Sequence, residues 1–275
     1  MSQKINPHIC RAVTQSEIDH YTSHGWVKLD RFVSATTAQA LLHEGHGRMG
    51  LDGDSNPLGA EGVDFFNSTM GHLLKHQVFH ALVRSVGRAT QALMSRGDET
   101  GMRLFADQFA VKLPTGNRAK HAGQGRTDYH QDFPPMGIDR AGGMTAWFAL
   151  TDLSPEAGTM DFLDGSNSLG PLGAHMTFPP GQQLTDIYPT LLQACPSSGP
   201  MTYKAGDVTV HSVLCVHGAG RNFTANPRWA YILTCIPADS CWTGAHPGEL
   251  FTQSAASGLK PWQKVDEKNF PLLTD

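Results

Sequence analysis

The spacing of apolar positions changes character once along the chain. In the first hundred residues it is mostly helical. Thr14-Gln15-Ser16-Glu17 has the form of a capping box and predicts a short helix to about Tyr21, ended by His24-Gly25. Trp26-Val27-Lys28-Leu29 alternates like a strand, and Ser34 then caps a second helix carrying Ala38, Leu41 and Leu42 inward. Residues 47–62, rich in Gly, Asp and Pro, read as a long loop. Between about 68 and 95, Leu73, Leu74, Val78, Leu82, Val83 and Val86 recur at helical spacing.

After residue 102 short apolar or alternating runs are separated by Gly/Pro turns: Phe105–Leu113, Met144–Leu150, Thr159–Leu163, Asp207–Val216 and Trp229–Ile236. Such runs predict an antiparallel barrel or sandwich, with the earlier helices packed on one side. Two long stretches, Pro114–Asp128 and Gly170–Pro200, interrupt the strands. Connections of that length are commonly functional, and both are placed to cover a barrel mouth. No repeat or linker divides the chain, so residues 1–275 are expected to form one domain.

Composition narrows the function classes. The 275 residues are 40% hydrophobic and 17% charged, enough for a core without staples. Twenty-one Lys+Arg against 25 Asp+Glu give a formal charge of −4, too balanced for a duplex-binding face, so no nucleic-acid partner is expected. No apolar run has the length of a membrane span and the N-terminus lacks a signal-peptide core. Five scattered cysteines without a CxxC pair read as reduced thiols, and the expected location is cytoplasmic.

The candidate chemistry centres on Tyr129-His130-Gln131-Asp132-Phe133. In a strand, residues two apart share a face, so His130 and Asp132 can present an imidazole and a carboxylate side by side. A histidine arriving from a distant strand would complete a 2-His-1-carboxylate set with open positions, the arrangement of non-haem Fe(II) oxygenases. The segment Gly206–Asn222 offers two, His211 and His217, six residues apart. Arg228 follows on the next strand, within reach of a hairpin. Its planar fork suits a carboxylate co-substrate.

Together these motifs resemble a known family. His130-Gln131-Asp132, Ala146-Trp147-Phe148-Ala149-Leu150-Thr151-Asp152, Gly158-Thr159-Met160, Gly165-Ser166, Gly206-Asp207, His217-Gly218 and Arg228 occur in the order seen in the phytanoyl-CoA dioxygenase family. Gly25-Trp26-Val27 and Phe32-Val33-Ser34 are similar to it as well, so the likeness spans roughly residues 13–236. The resemblance implies a mainly β fold, a double-stranded β-helix of jelly-roll or cupin type with flanking N-terminal helices. It implies Fe(II), 2-oxoglutarate and O2 as cofactor and co-substrates, with release of succinate and CO2 as a C–H bond is oxidised. It assigns His130, Asp132 and His217 to the metal and Arg228 to the distal carboxylate of 2-oxoglutarate. Lys112, Trp147 and Thr127 fall at co-substrate positions, although Thr127 stands where glutamine is frequent. A carboxylate at Asp132 favours hydroxylation, oxidative cyclisation or desaturation over halogenation, since related halogenases carry Gly or Ala there.

Other readings stand beside these. His211 is the rival third ligand, otherwise a pocket histidine. Phe133 and Met136, with Pro134 and Pro135, follow the ligands directly and are candidates for substrate contact or for packing, as is Trp242. His72, His76 and His80 share one helical face, which suits zinc less well than a solvated surface; His43 and His46 have the same bland reading. Asp52-Gly53-Asp54-Ser55-Asn56 starts like a calcium loop but has Pro57 and Val63 where Gly and Glu belong. No Lys/Arg cluster marks a site for CoA phosphates, so a small specialised-metabolism (natural-product, antibiotic-type) substrate is expected rather than an acyl-CoA. A β-barrel metal-binding module without oxygenase activity, and a metal-dependent isomerase or hydrolase using the same triad without O2, are the remaining alternatives. The oligomeric state has no sequence signal.

Overall fold

The computed structural model describes residues 9–53, 67–70, 73–94, 101–115, 125–173, 183–245 and 258–274. Helix α1 (Gln15–His24) starts with the reciprocal cap its sequence encodes. The Thr14 hydroxyl accepts from the Glu17 N–H, and the Glu17 carboxylate accepts from the Thr14 N–H at 2.7 Å. The helix runs past Tyr21 to Gly25, whose φ of 79° and close neighbour Asn167 leave no room for a side chain. β1 (Trp26–Leu29) follows, and α2 (Ala35–Met49), capped by Ser34, extends into the stretch expected as a loop. Residues 54–62 of that stretch lie outside the described residues.

The helix expected over 68–95 is divided into β2 (Asn67–Met70), a 3-10 turn at Leu73–Lys75 and α3 (Gln77–Leu93). The strands that follow are β3 (Met102–Lys112), β4 (Thr127–His130), β5 (Met144–Ala149) and β6 (Met160–Phe162). Within Gly170–Pro200, expected as loop, lie two single-turn helices, α4 (Leu184–Ile187) and α5 (Leu191–Ala194). The run Asp207–Val216, read as one strand, is two: β7 (Val208–Ser212) ends in a turn at residues 213–216, and β8 (His217–Ala219) begins beyond it. β9 (Arg228–Pro237) closes the series.

Among the described residues the strands form two antiparallel sheets. The larger has the order β1-β7-β5-β9-β3-β2 and the smaller β4-β8-β6. Trp147, Ala149 and Ala230 of the large sheet share one apolar cluster with Met160, Phe162 and Ala219 of the small sheet, so the two sheets face each other. This is a double-stranded β-helix. The turn at residues 213–216 carries the chain from one sheet to the other. His211 and His217 therefore lie on different sheets, and β8–β9 is a crossover, not the hairpin expected to bring Arg228 close.

Strand alternation assigns each residue of the large sheet to one of two layers. Val208, Val210, Ala146, Phe148, Trp229, Tyr231, Leu233 and Cys235 pack with Leu41 of α2 and Leu82, Val83 and Val86 of α3. The alternate positions Thr209, His211, Thr145, Trp147, Arg228 and Thr234 point between the sheets. In β3 the phase is set by a bulge. Leu104 pairs with Cys235 and Ala106 with Thr234, leaving Phe105 extra. Before it the even-numbered Met102 and Leu104 face the helices; after it the odd-numbered Phe109 and Val111 do, and Lys112 turns inward opposite Arg228.

Asp207 pins the start of β7. One carboxylate oxygen accepts from the Arg31 N–H at 2.8 Å, and the other from the Lys204 N–H and the Lys28 ammonium at 2.9 Å each. Arg31 needs this hold, because its φ of 49° is left-handed. Burial opposes ionisation of Asp207, but these donors outweigh it and keep its pKa below 3.8. A depressed carboxyl pKa contributes stability above about pH 4 and loses it as pH falls further. Asp207→Ala is expected to lower the unfolding free energy by about 2–3 kcal/mol at pH 7. Urea titrations should show a smaller difference from wild type at pH 3.

Candidate metal centre and the buried cations beside it

β4 pairs with β8 so that His130 stands opposite His217, with Phe162 of β6 on the other side of His217. Asp132 lies two residues past the end of β4, so it joins His130 through the turn after the strand and not by sharing a strand face. One ligand atom each from His130, Asp132 and His217 lies within 4.8 Å of the other two. The imidazoles are prepared for this. Nδ1 of His130 is 2.7 Å from the Asp128 carbonyl, and Nδ1 of His217 is 3.0 Å from the Cys215 carbonyl. Each Nδ1–H is thereby committed as a donor, which leaves the Nε2 lone pairs directed at Asp132 Oδ1, 3.6 and 3.7 Å away. Burial and the adjacent His211 and His130 push His217 well below the usual histidine range, which keeps it neutral.

The Asp132 carboxylate is divided between two duties. Oδ2 accepts from the Thr145 hydroxyl at 2.7 Å and lies 3.2 Å from His211 Nε2. Oδ1 is left for the side where His130 and His217 converge. Burial would raise the Asp132 carboxyl, but His217, His130 and His211 around it hold it well below the usual carboxylate range. The His211 side chain is 1% exposed and supports the carboxylate from the large sheet, outside the three-residue cluster. Phe162 packs beneath His211 and His217, with ring centroids 5.2 and 6.1 Å away.

Deeper between the sheets two cations are buried in adjacent register, Lys112 and Arg228. Lys112 Nζ lies 2.7 Å from the Gly220 carbonyl oxygen, 3.1 Å from Thr127 Oγ1 and 3.3 Å from the Ala219 carbonyl oxygen, within donating distance of each. Its donors are thus used in tying β3 to β4 and β8. Burial, with Arg228 next to it, drives its pKa down to about 6. Arg228 donates from Nη1 to the Gly158 carbonyl at 2.5 Å and lies over the Trp147 ring, 5.4 Å from its centroid. Gly158 must be glycine: at φ 72° a Cβ would strike the Gly220 carbonyl oxygen. Burial lowers the Arg228 pKa to about 10, and its buried Nε–H has no partner. Tyr203 Oη and Thr209 Oγ1 are also buried without partners; Tyr203 packs at a tilt against Trp147, and Thr209 is paired with Trp147 across β5 and β7. Unsatisfied buried donors cost about 1–3 kcal/mol each. Three of them around one aromatic ring fit an acceptor-rich, negatively charged group.

Phe133 is half-buried beside Asp132, whereas Met136 is buried with Phe105, Ile138, Val213, Ile236 and Leu259. Met136 is therefore part of a core cluster, on which Phe133 and Trp242 also pack. His76 is the residue before α3 and contacts Arg48, His80 is half-buried within α3, and His72 lies outside the described residues. Asp54–Asn56 lie outside them too. The five cysteines are unpaired. No described helix is long and apolar enough to cross a membrane.

Two sheets bearing a His-x-Asp…His cluster above a buried arginine define a class, the metal-dependent double-stranded β-helix proteins. Residues 21–230 match the sequence profile of the phytanoyl-CoA dioxygenase family, and the chain belongs to that family. The non-haem α-ketoglutarate-dependent carbocyclase SnoK from nogalamycin biosynthesis superposes with a TM-score of 0.76 at 22% identity, over 94% of this chain and 96% of that one. The epimerase SnoN, in complex with Fe3+, α-ketoglutarate and nogalamycin RO, does so at 0.68 and 23%, over 94% and 98%. EctD from S. alaskensis, with 2-oxoglutarate and 5-hydroxyectoine, gives 0.65 and 16%, over 97% and 90%. At these identities the likeness is one of fold. No curated protein matches the chain.

Sequence reasoning missed Thr145, Thr209, Tyr203 and Gln131. The first two carry a signal in retrospect, since each is a polar residue two positions from Trp147 or His211 in an apolar strand. Tyr203 comes from irregular backbone and carries none. Thr145→Val keeps the shape of the side chain and removes one of the two donors to Asp132. Divalent-metal affinity is expected to fall about tenfold or more, read by Co(II) titration in the visible; unchanged affinity would show that Thr145 does not orient the carboxylate.

Proposed function

We propose that this chain is a non-haem Fe(II)/2-oxoglutarate-dependent oxygenase acting on a small organic substrate of natural-product type. The observation that carries the reading is one assembly: two imidazoles with their Nδ1–H groups committed to carbonyls and an ionised carboxylate on one point, beside a buried arginine with an unpaired N–H. His130, Asp132 and His217 would hold the iron. The donor set and its fixed tautomers suit a divalent first-row ion with positions left open. Arg228, with Tyr203 and Thr209, would take the far carboxylate of 2-oxoglutarate, and Trp147 would flank its chain. Bound together, iron and 2-oxoglutarate supply the oxidising power for a C–H bond by oxidative decarboxylation to succinate and CO2.

The protein's own part is binding, orientation and exclusion of water. Asp132 side-chain exposure is 16% against 6% and 5% for His130 and His217, so the cluster is reached from the Asp132 side, where Phe133 stands. Phe133 is therefore the better substrate contact of the two expected. Lys112 holds β4 and β8 in place, and with them the two ligand histidines. A carboxylate at Asp132 supports oxygenation, cyclisation or desaturation over halogenation. The fold shared with a carbocyclase and an epimerase of antibiotic biosynthesis supports a specialised-metabolism substrate over an acyl-CoA.

The test is anaerobic Fe(II) loading followed by 2-oxoglutarate and O2, with succinate measured alone and with candidate substrates. His130→Ala and His217→Ala are expected to abolish both iron retention and succinate release, while Arg228→Ala should raise the 2-oxoglutarate KM by about thirtyfold or more. A metal-binding module would release no succinate in any form, and coupled turnover of an acyl-CoA would remove the substrate preference. Lys112 adds an independent signature. With a pKa of about 6 it is mostly neutral at pH 7, and a dianion arriving beside it favours the charged form. Binding of 2-oxoglutarate should take up a proton at pH 7, seen as a buffer-dependent heat in calorimetry and lost in Lys112→Met.

A further inference from the structure

Gln131, between the first two ligands, is 1% exposed, and its side-chain amide is fully engaged. Nε2 donates to the Leu214 carbonyl at 2.7 Å and to the Gly170 carbonyl at 2.9 Å, and Oε1 accepts from the Leu172 N–H at 2.7 Å. Three parts of the chain meet on this one group. The first is the His130–Asp132 segment itself. The second is the turn at residues 213–216, in which Cys215 next to Leu214 orients His217. The third is Gly170–Leu172, which opens the long connection between the small sheet and β7. A second tie lies one residue before His130, where the Tyr129 N–H donates to Gln183 Oε1 at 3.3 Å just ahead of α4. The ligand strand is thus bonded to both Leu172 and Gln183 of that connection.

We propose that Gln131 is a positioning residue that couples metal occupancy to the order of Gly170–Leu172 at the edge of the site. The proposal rests on the reading of His130, Asp132 and His217 as the metal site. Withdrawal of Gly170–Leu172 breaks two of the three bonds that the Gln131 amide makes, so the loop and Gln131 hold their places together. A metal bound by His130, Asp132 and His217 fixes the backbone on both sides of Gln131 and the turn that carries Leu214. Gln131 then meets the loop already immobilised, and the loop loses less freedom on docking. The coupling is reciprocal: a loop held by Gln131 tightens the metal by the same factor that the metal tightens the loop. Gln131 touches no reacting atom and acts only through these three bonds.

The experiment follows backbone amide exchange of Gly170, Leu172 and Gly173 in the full chain with and without Co(II), alongside Co(II) affinity from the visible spectrum. In wild type, Co(II) is expected to slow exchange of this segment about fivefold or more. In Gln131→Leu the metal should still bind, about fivefold or more weakly, and the segment's exchange should no longer respond to it. Leu172→Pro removes the N–H donor while leaving Gln131 and the ligands intact; it should weaken Co(II) to a similar degree, and it serves alone if Gln131→Leu does not fold. A wild-type segment that ignores bound Co(II), a Gln131→Leu segment that still responds, or Leu172→Pro with wild-type affinity overturns the coupling. Absence of Co(II) binding by wild type would instead overturn the metal-site reading, and the coupling with it. A merely structural role for Gln131 would lower the melting temperature without changing the metal response.

Discussion

The Asp132 carboxylate is the point on which both sheets depend. One oxygen is held by Thr145 and His211 of the large sheet, while the other faces His130 and His217 of the small one. A carboxylate so placed does two things at once. It fixes how far apart the sheets stand at the mouth, and it presents a single, oriented oxygen to the histidines. The buried position would be costly for an unpaired charge. Here the surrounding imidazoles and the Thr145 hydroxyl compensate, and the group stays ionised.

The opposite imbalance marks the inner face of the large sheet where β3 meets β9. Lys112 and Arg228 are cross-strand neighbours in a layer otherwise lined by Trp147, Ala230 and Ala219, and like charges directly opposite each other are unfavourable. The protein relieves this in part by depressing both pKa values and by spending the lysine's donors on carbonyls. What is left over, an arginine Nε–H and two hydroxyls, suits a negatively charged group. The two groups of residues thus carry complementary demands, for a cation at His130, Asp132 and His217 and for an anion at Arg228. A small molecule that is a dianion at one end and a metal chelator at the other satisfies both.

How much of this was legible in the sequence follows from how local each cause is. The caps at Thr14 and Ser34, the strands carrying Trp147 and Trp229, and the His130-x-Asp132 pair are set by neighbouring residues and were readable. The break at residues 213–216 was not. Its residues Val213, Leu214, Cys215 and Val216 are as apolar as the strand before them, and only their burial at the passage between sheets explains the turn. That one break decides that His217, not His211, faces His130. The ordered motifs of the family resemblance encode the outcome; alternation alone pointed to both histidines equally. The Gln131 junction was equally hidden, since its partners are backbone groups 39 to 83 residues away along the chain.

The bulge at Phe105 reaches further than its single residue suggests. Because one extra position sets the phase of the rest of β3, the strand behaves as a switch in register whose setting is counted in residues and not in chemistry. Drawing Phe105 into the ladder opposite Thr234 would rotate the seven side chains that follow, carrying Val111 to the inner face and Lys112 into the oily layer under the helices. The facing of β3 therefore depends on Phe105 staying out of the ladder, and a chain one residue shorter at this spot would keep every pair from Ala106 to Lys112.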